Sequence, residues 1–396
     1  MRKADSPLGV YVHVPFCRAR CSYCAFYTVA HHATAIQPFI RSLRREIRHL
    51  ARRGYDEPEL FVRPAQGRCV DSVFLGGGTP SLLPGEALAS LLGTVREFFR
   101  VTSDAEVTLE ANPETVTAAA AAGWRHAGVT RVSVGAQTFS DARLARLGRR
   151  HTAASIRQAV RDLRAAGCDN ISLDLIAGVS PARLDEDVDA ACAISPDHLS
   201  MYLLEVTEEE TGAVTPLARQ VAAGACQVPE ADWYADAYPR AVSRLARAGL
   251  DRYEICNFAR PGRVCRHNLK YWLDRDVLGF GPGAHSSCDG TRFANVADLQ
   301  RWQQPLLTRG RPETPRADRR TTGEANAERA MLALRLEEGA PRAWLEQLLP
   351  GRAGRGDTAP LDDLLEAGFM ISDGERVALS TRGMLVSNEI FQRFLP

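Results

Sequence analysis

Val14-Pro15-Phe16-Cys17-Arg18-Ala19-Arg20-Cys21-Ser22-Tyr23-Cys24-Ala25-Phe26-Tyr27 carries three of the chain's ten cysteines within eight residues. The other seven, Cys69, Cys168, Cys192, Cys226, Cys256, Cys265 and Cys288, are scattered singly. Ten cysteines spread at random over 396 residues seldom fall at +4 and +7 from one another, so Cys17-x3-Cys21-x2-Cys24 is a constellation. Three soft thiolates suit a soft metal centre. Zinc wants a fourth ligand, usually from a second paired knuckle, and no second Cys-x2-Cys or spaced His-x3–5-His pair follows nearby; His31 and His32 are adjacent. A [4Fe–4S] cubane is normally held by four cysteines, so three leave one iron open to a substrate or cofactor. The spacing favours an iron–sulfur cluster over another metal or free thiols.

Working outward, Val10 to Val14 reads as a strand that delivers the chain to the cysteines. Beyond them, Ile36, Phe39, Ile40, Leu43, Ile47 and Leu50 recur at helical spacing over about four turns. Arg41, Arg44, Arg45, Arg48 and Arg52 form the opposite, solvated face. Strand-like segments follow at Val70–Leu75, Glu106–Leu109, Arg131–Val134, Ile171–Ile176 and His198–Leu204. Helical segments at Glu86–Phe99, Thr115–His126, Ala153–Ala166 and Leu184–Ala193 separate them. Six strands alternating with helices predict an α/β fold with a parallel sheet of βα units. The spacing leaves an open sheet and a barrel equally available.

Chemically loaded residues fall at the strand ends. Gly76-Gly77-Gly78-Thr79 lets a ligand approach the backbone closely, although a glycine run alone is more often a turn. Glu110 ends the third strand, Gln137 the fourth, and Asp174 lies inside the fifth. A carboxylate within a sheet strand must be paired or face a polar cavity. Each could be a structural cap, but together at one end of a parallel sheet they point to a polar ligand site.

Composition bounds the rest. Hydrophobic residues are 45% and charged residues 24%, an ordinary globular balance that excludes disordered and fibrous classes. Lys+Arg total 49 against Asp+Glu 48, so no whole-molecule field draws nucleic acid or anionic lipid. No apolar run approaches the roughly 18 residues of a membrane helix. Met1 to Val14 has no apolar signal-peptide core. The expected compartment is the cytoplasm, where ten cysteines do not make a disulfide framework.

The cysteine spacing just after a first strand resembles the radical S-adenosylmethionine superfamily. YVHVPFC, FLGGGTPS, LEANPE, RVSVGAQTF, LARLGRRH, ISLDLIAG, YEICNFARPG, CRHNLKYW and GFGPGAHS follow in order across residues 11–286. Together they resemble the oxygen-independent coproporphyrinogen III oxidase-like family. That resemblance implies an incomplete (β/α)6 TIM-like barrel over residues 1–240, with the chemistry at the strand ends. It implies [4Fe–4S] ligation by Cys17, Cys21 and Cys24. It also implies S-adenosylmethionine contacts from Tyr11, Gly77, Gly78, Thr79, Glu110, Gln137, Arg149 and Asp174, with Tyr23 offering an aromatic face to adenine. In the superfamily, reductive cleavage of that cofactor yields a 5′-deoxyadenosyl radical, chemistry that belongs to the cofactor while the protein positions it.

Two features separate the branches of the resembled family. Its decarboxylating enzymes carry a fourth cysteine two residues beyond the third, where this chain has Phe26. His267-Asn268-Leu269-Lys270-Tyr271-Trp272 matches the H-N-x-x-Y-W motif of the haem-carrying branch, in which His267 is expected as a haem ligand. The expectation is a haem chaperone that binds haem, the cluster and S-adenosylmethionine and passes haem to client haemoproteins such as respiratory enzymes. A coproporphyrinogen III dehydrogenase is the alternative. Cys256 and Cys265 read as buried small hydrophobes. The chain departs from the family at GVSPARLDED, residues 178–187, and by two residues inserted in Gly212–Arg219.

Residues 241–308 carry the haem motif, and the polar 309–323 reads as a linker. Segments Glu324–Leu336, Arg342–Leu349 and Leu361–Glu366 predict helices, Arg376–Leu379 a strand and Leu385–Phe394 a last helix. Residues 324–396 thus read as a winged-helix-like α+β module. Asp362, Asp363 and Glu366 argue against DNA and for a lid or protein-contact role. No nucleic acid partner is expected, and a transient membrane association is compatible with the sequence.

Overall fold

The computed structural model describes residues 6–179, 184–204, 214–224, 226–348 and 360–394. The six expected strands are present: β1 (Leu8–Val14), β2 (Cys69–Gly77), β3 (Arg100–Ala111), β4 (Arg131–Gln137), β5 (Ile171–Ala177) and β6 (His198–Leu203). They lie in chain order, each parallel to the next. Parallel neighbours need crossover connections. These are α1 (Ala33–Arg53), α2 (Gly85–Phe98), α3 (Ala118–Ala127), α4 (Asp141–Arg146), α5 (Ala153–Ala165) and α6 (Leu184–Cys192). The strand order is linear and β6 does not pair with β1, so the barrel is incomplete.

The helix α1 runs longer than the four turns expected. Ile36, Phe39, Ile40, Leu43, Ile47 and Leu50 are all buried, while Arg41, Arg44, Arg48 and Arg52 are exposed. Alternation along the strands divides the protein into two environments. Val10, Val12, Val73, Leu75, Val107, Leu109, Val132 and Leu173 join the apolar core with α1. The intervening residues, among them Tyr11, Ser72, Phe74, Glu106, Glu110, Arg131, Ser133 and Asp174, fill a polar interior.

The sheet reaches further than the sequence suggests. After α7 (Pro216–Ala222) and α8 (Ala231–Arg247), β7 (Asp251–Arg252) and β8 (Asn257–Ala259) extend it antiparallel beyond β6. Then α9 (Arg266–Trp272) leads into β9 (Val277–Phe280), a seventh parallel strand beside β1. Antiparallel β10 (His285–Cys288) and β11 (Thr291–Ala294) follow, then α10 (Leu299–Thr308) and β12 (Arg316–Asp318), completing twelve strands. These added strands are two to four residues long, too short to show a period. Leu250, Phe258, Phe280 and Trp302 share the barrel's core, and β12 lies within the polar stretch 309–323.

The C-terminal module has a separate core around Leu334, Leu345, Val377, Leu379 and Phe391. It comprises α11 (Thr322–Leu334), β13 (Ala340–Pro341), α12 (Arg342–Leu348), α13 (Pro360–Glu366), β14 (Met370–Ser372), β15 (Arg376–Leu379), α14 (Thr381–Leu385) and α15 (Ser387–Gln392). With β15 between β13 and β14 in an antiparallel sheet, it is winged-helix-like. The single last helix expected is two, because Val386 (φ −117°, ψ 26°) leaves helical geometry. Of the sequence departures, residues 180–183, Gly212 and Ala213 lie outside the described residues, as does Leu349. Among the described residues no helix is long and apolar enough to cross a membrane.

Candidate cofactor site at the barrel mouth

The cysteine loop is pinned at both ends. Phe16–Cys17 pairs with Val29–Ala30, closing the loop on itself. The amide of Ser22 donates to the Leu147 carbonyl at 3.1 Å, and the Ser22 carbonyl accepts from the Leu217 amide at 2.8 Å. Cys17, Cys21 and Cys24 are free, partly exposed thiols. They line one wall of a cavity of about 390 Å³ at the C-terminal ends of the strands. Burial pushes the Cys17 thiol up and that of Cys24 to about 11. A bound cation reverses that penalty, since the thiolate is the metal ligand.

Each remaining wall comes from a strand end. Behind β2, Gly77 has φ 105°, and a Cβ there would meet the His13 ring at 2.6 Å. A Cβ on Gly78 would meet the Pro15 carbonyl oxygen at 2.8 Å. The glycine run is therefore required by its packing against the segment that leads to Cys17. Glu110, at the end of β3, accepts from the Gly77 amide at 3.1 Å. Withdrawal from water, with Asp174 beside it, raises the Glu110 carboxyl to about 8. Asp174 accepts from the Ser133 hydroxyl at 3.0 Å, and burial raises it too. Gln137 takes φ 64° at the end of β4, a left-handed conformation uncommon for a non-glycine residue.

Arg149 closes the far side. Its Nη1 donates to Asn112 Oδ1 at 2.6 Å and its Nη2 to the Tyr23 hydroxyl at 2.7 Å, with the guanidinium 5.8 Å from the Tyr23 ring centre. Asn112 Nδ2 donates to Thr79 Oγ1 at 3.2 Å, and Thr79 Oγ1 lies 3.6 Å from Cys17 Sγ. Asn112 and Ser133 also line the cavity, as does Tyr202 at the end of β6. Sequence reasoning passed over all three. Asn112 carried a signal, two residues after Glu110 in LEANPE; the alternation on β4 and β6 could have found the others.

Cys17, Cys21, Cys24, Tyr23, Gly77, Gly78, Thr79, Glu110, Gln137, Arg149 and Asp174 all line this one cavity. Soft thiols on one wall and carboxylates, an amide and a guanidinium on the others suit an iron–sulfur cluster beside a polar, charged cofactor.

Two expected residues do not line the cavity. Tyr11 lies below it on β1, its hydroxyl 3.1 Å from His13 Nδ1 and its ring stacked 6.2 Å from Phe74. His267, on α9, is 1% exposed and packs at 5.2 Å against Phe74. Its Nδ1 shares a hydrogen bond with Ser72 Oγ at 3.1 Å, and its Nε2 one with the Tyr271 hydroxyl at 3.2 Å. Burial, with Lys270 and Arg131 nearby, lowers His267 to about 3. The helix α9 thus closes the N-terminal end of the barrel. Glu106, from β3, accepts from the Arg266 and His267 amides at 3.0 and 3.1 Å and so caps α9, whose N-cap residue Cys265 makes no side-chain bond to the helix amides.

A parallel barrel with cysteines after its first strand and a polar mouth is the architecture of radical S-adenosylmethionine proteins, and residues 11–191 match the family described as the radical SAM superfamily. The chain is 37% identical to the haem chaperone HemW of Mycobacterium tuberculosis, over 98% of this chain and 95% of that protein. It is 31% identical to HemW of Escherichia coli, over 98% of each. The chain belongs to the HemW family. Its fold matches the coproporphyrinogen III oxidase HemN of Escherichia coli, described as a radical SAM enzyme, with a TM-score of 0.80 at 22% identity, over 98% of this chain and 90% of that one.

Proposed function

We propose that the protein is a cytoplasmic haem chaperone that holds a [4Fe–4S] cluster and S-adenosylmethionine at the barrel mouth, binds haem and passes it to client haemoproteins. The observation that carries this reading is Phe26. Its side chain is 57% exposed and lines the cavity, at the position where decarboxylating relatives are expected to place a fourth thiol. An apolar ring there offers a porphyrin face a surface and supplies no thiol.

Within the cavity, Cys17, Cys21 and Cys24 would hold the cluster, leaving one iron for the cofactor. Bound together, cluster and S-adenosylmethionine supply one-electron chemistry. The protein's own part is binding and orientation. Glu110 and Asp174 accept hydrogen bonds from polar groups, Gln137 reads a polar edge, Arg149 meets an anionic group and Tyr23 provides a flat face. His267 would serve as a haem ligand only with its Nε2 freed from the Tyr271 hydroxyl that holds it here.

Anaerobic reconstitution followed by a haem titration tests the reading, with a parallel incubation with S-adenosylmethionine, reductant and coproporphyrinogen III. About one equivalent of bound haem, transferred to an apo-haemoprotein, with no protoporphyrinogen formed, is the expected result. Multiple-turnover decarboxylation with matching 5′-deoxyadenosine release would replace the chaperone with an enzyme.

A further inference from the structure

We propose that Asn112 is a positioning residue that ties both ends of the cysteine loop to Arg149, so that cluster environment and cofactor affinity are set by one side chain. This rests on the reading of the cavity as the cluster and S-adenosylmethionine site. The hydrogen bonds form a circuit that leaves the loop at Tyr23, runs through Arg149, Asn112 and Thr79, and returns to it at Cys17. Asn112 is the centre of that circuit. Its Oδ1 accepts from Arg149 while its Nδ2 donates to Thr79, a primary amide doing both at once through two separate atoms.

The backbone of Asn112 is held as tightly. It precedes Pro113, which keeps it extended (φ −89°, ψ 143°). Its carbonyl accepts from the Thr115 hydroxyl at 2.7 Å and the Thr115 amide at 2.9 Å. Across the cavity, a Cβ on Gly135 would lie 2.8 Å from Gln137 Nε2, 3.3 Å from Arg149 Nη2 and 3.5 Å from Asn112 Oδ1. A methyl group on Gly135 would therefore crowd Gln137 and the Arg149 guanidinium and touch the Asn112 amide.

Neutrality is the second part of the inference. Arg149 is oriented by an amide and a phenol, neither of which cancels its charge. The carboxylates of Glu114 and Asp174 act on the guanidinium through space, but its hydrogen bonds go to the amide and the phenol. An arginine oriented by neutral acceptors keeps more of its attraction for an anionic group, such as the carboxylate of S-adenosylmethionine, than one bonded directly to a carboxylate. Asn112 thus fixes where that charge sits without spending it.

Asn112→Asp separates these roles at almost constant shape: it keeps an acceptor for Arg149, loses the donor to Thr79 and neutralises the guanidinium. The cluster-loaded protein is compared with the variant for iron and sulfide content, melting temperature, S-adenosylmethionine affinity and the electron paramagnetic resonance spectrum of the reduced cluster with the cofactor added. The expected result is unchanged iron content and melting temperature, affinity weakened about tenfold or more, and a shifted spectrum. Gly135→Ala, which crowds the same junction from the opposite wall, should shift the spectrum in an otherwise native protein. Wild-type affinity and spectrum in the Asn112→Asp variant would overturn the positioning role alone. A wild-type protein that loads the cluster yet binds no S-adenosylmethionine would overturn the reading of the site, and the proposal with it.

Discussion

The two ends of the barrel are both polar, and both carry quoted motifs, yet they are built on opposite terms. At the base, charge meets charge. Lys270 lies 2.6 Å from Asp71 and donates to the Pro7 carbonyl at 2.8 Å. Glu106 caps α9, and Asp276 and Asp289 are answered by Arg68 and Arg63 at 2.8 and 2.6 Å. At the mouth, Glu110 and Asp174 are neighbours on the cavity wall, and their carboxyls are raised because burial outweighs the donors they have. Perturbed groups that enclose space mark a binding site. The same residue types, packed to closure, mark architecture.

The largest effect that would break this comparison is all-or-none. Cys21→Ala should abolish the cluster's visible charge-transfer absorbance and its bound iron and sulfide, since two cysteines cannot hold the cubane. The melting temperature of the cluster-free chain should stay where it was, because the loop's anchors at Ser22 and Val29 remain. Unchanged iron and sulfide would remove the cluster from the mouth.

Next in size is a change at the base. Arg131 is 2% exposed; desolvation opposes its charge, and the carboxylates of Glu106 and Asp174 favour it through space. Glu106→Ala removes one of those charges and leaves the Arg266 and His267 amides uncapped, which should cost about 2 kcal/mol in urea unfolding. Cofactor binding by the folded fraction should be unaffected. A loss under about 1 kcal/mol would mean that the base is not held by its charges.

The mouth predicts the reverse pH behaviour of an ordinary ion pair. Glu110 is raised from 4.5 to about 8, so the folded, cofactor-free chain holds a proton that the unfolded chain has released between those values. Stability therefore falls as pH rises through that window, by up to about 1.4 kcal/mol per pH unit, and Asp174 adds to it with the same sign. Glu110→Gln should flatten the slope. A slope unchanged by Glu110→Gln would show that the carboxyl is already compensated.

What could be read from the amino acids follows the same division. The six parallel strands carry apolar residues at alternate or successive positions; five have ends within about three residues of those expected, while β3 starts six residues early, at Arg100. The cysteine spacing announced the mouth by itself; the glycines and the strand-end carboxylates, each of which alone could be a turn or a cap, did so by falling together at one end of the sheet. Tyr11 and His267 belong to motifs as well marked as the others, but a motif does not say which end of a barrel it occupies. That depends on α9 returning beneath β2 and β3, a contact between residues about 160 to 195 positions apart. Asn112 was hidden for a different reason: its importance lies in holding Arg149 and Thr79 at once, which only the folded chain displays.

The smallest change carries the sharpest question about the base. Tyr271→Phe removes one hydroxyl from Nε2 of His267 and leaves the aromatic contact, with ring centres 5.4 Å apart. In the haem-free protein this should cost about 1 kcal/mol, the usual worth of one hydrogen bond. His267 is already neutral at physiological pH, as an iron ligand must be, so the competing hydroxyl is the local barrier to ligation. If haem opens the base and takes His267, removing that hydroxyl should strengthen haem binding, while His267→Ala should shift the haem absorbance. Identical haem spectra and affinities in both variants would leave His267 to the architecture. The base would then be closed to haem, and the surface around Phe26 at the mouth would be where the porphyrin rests.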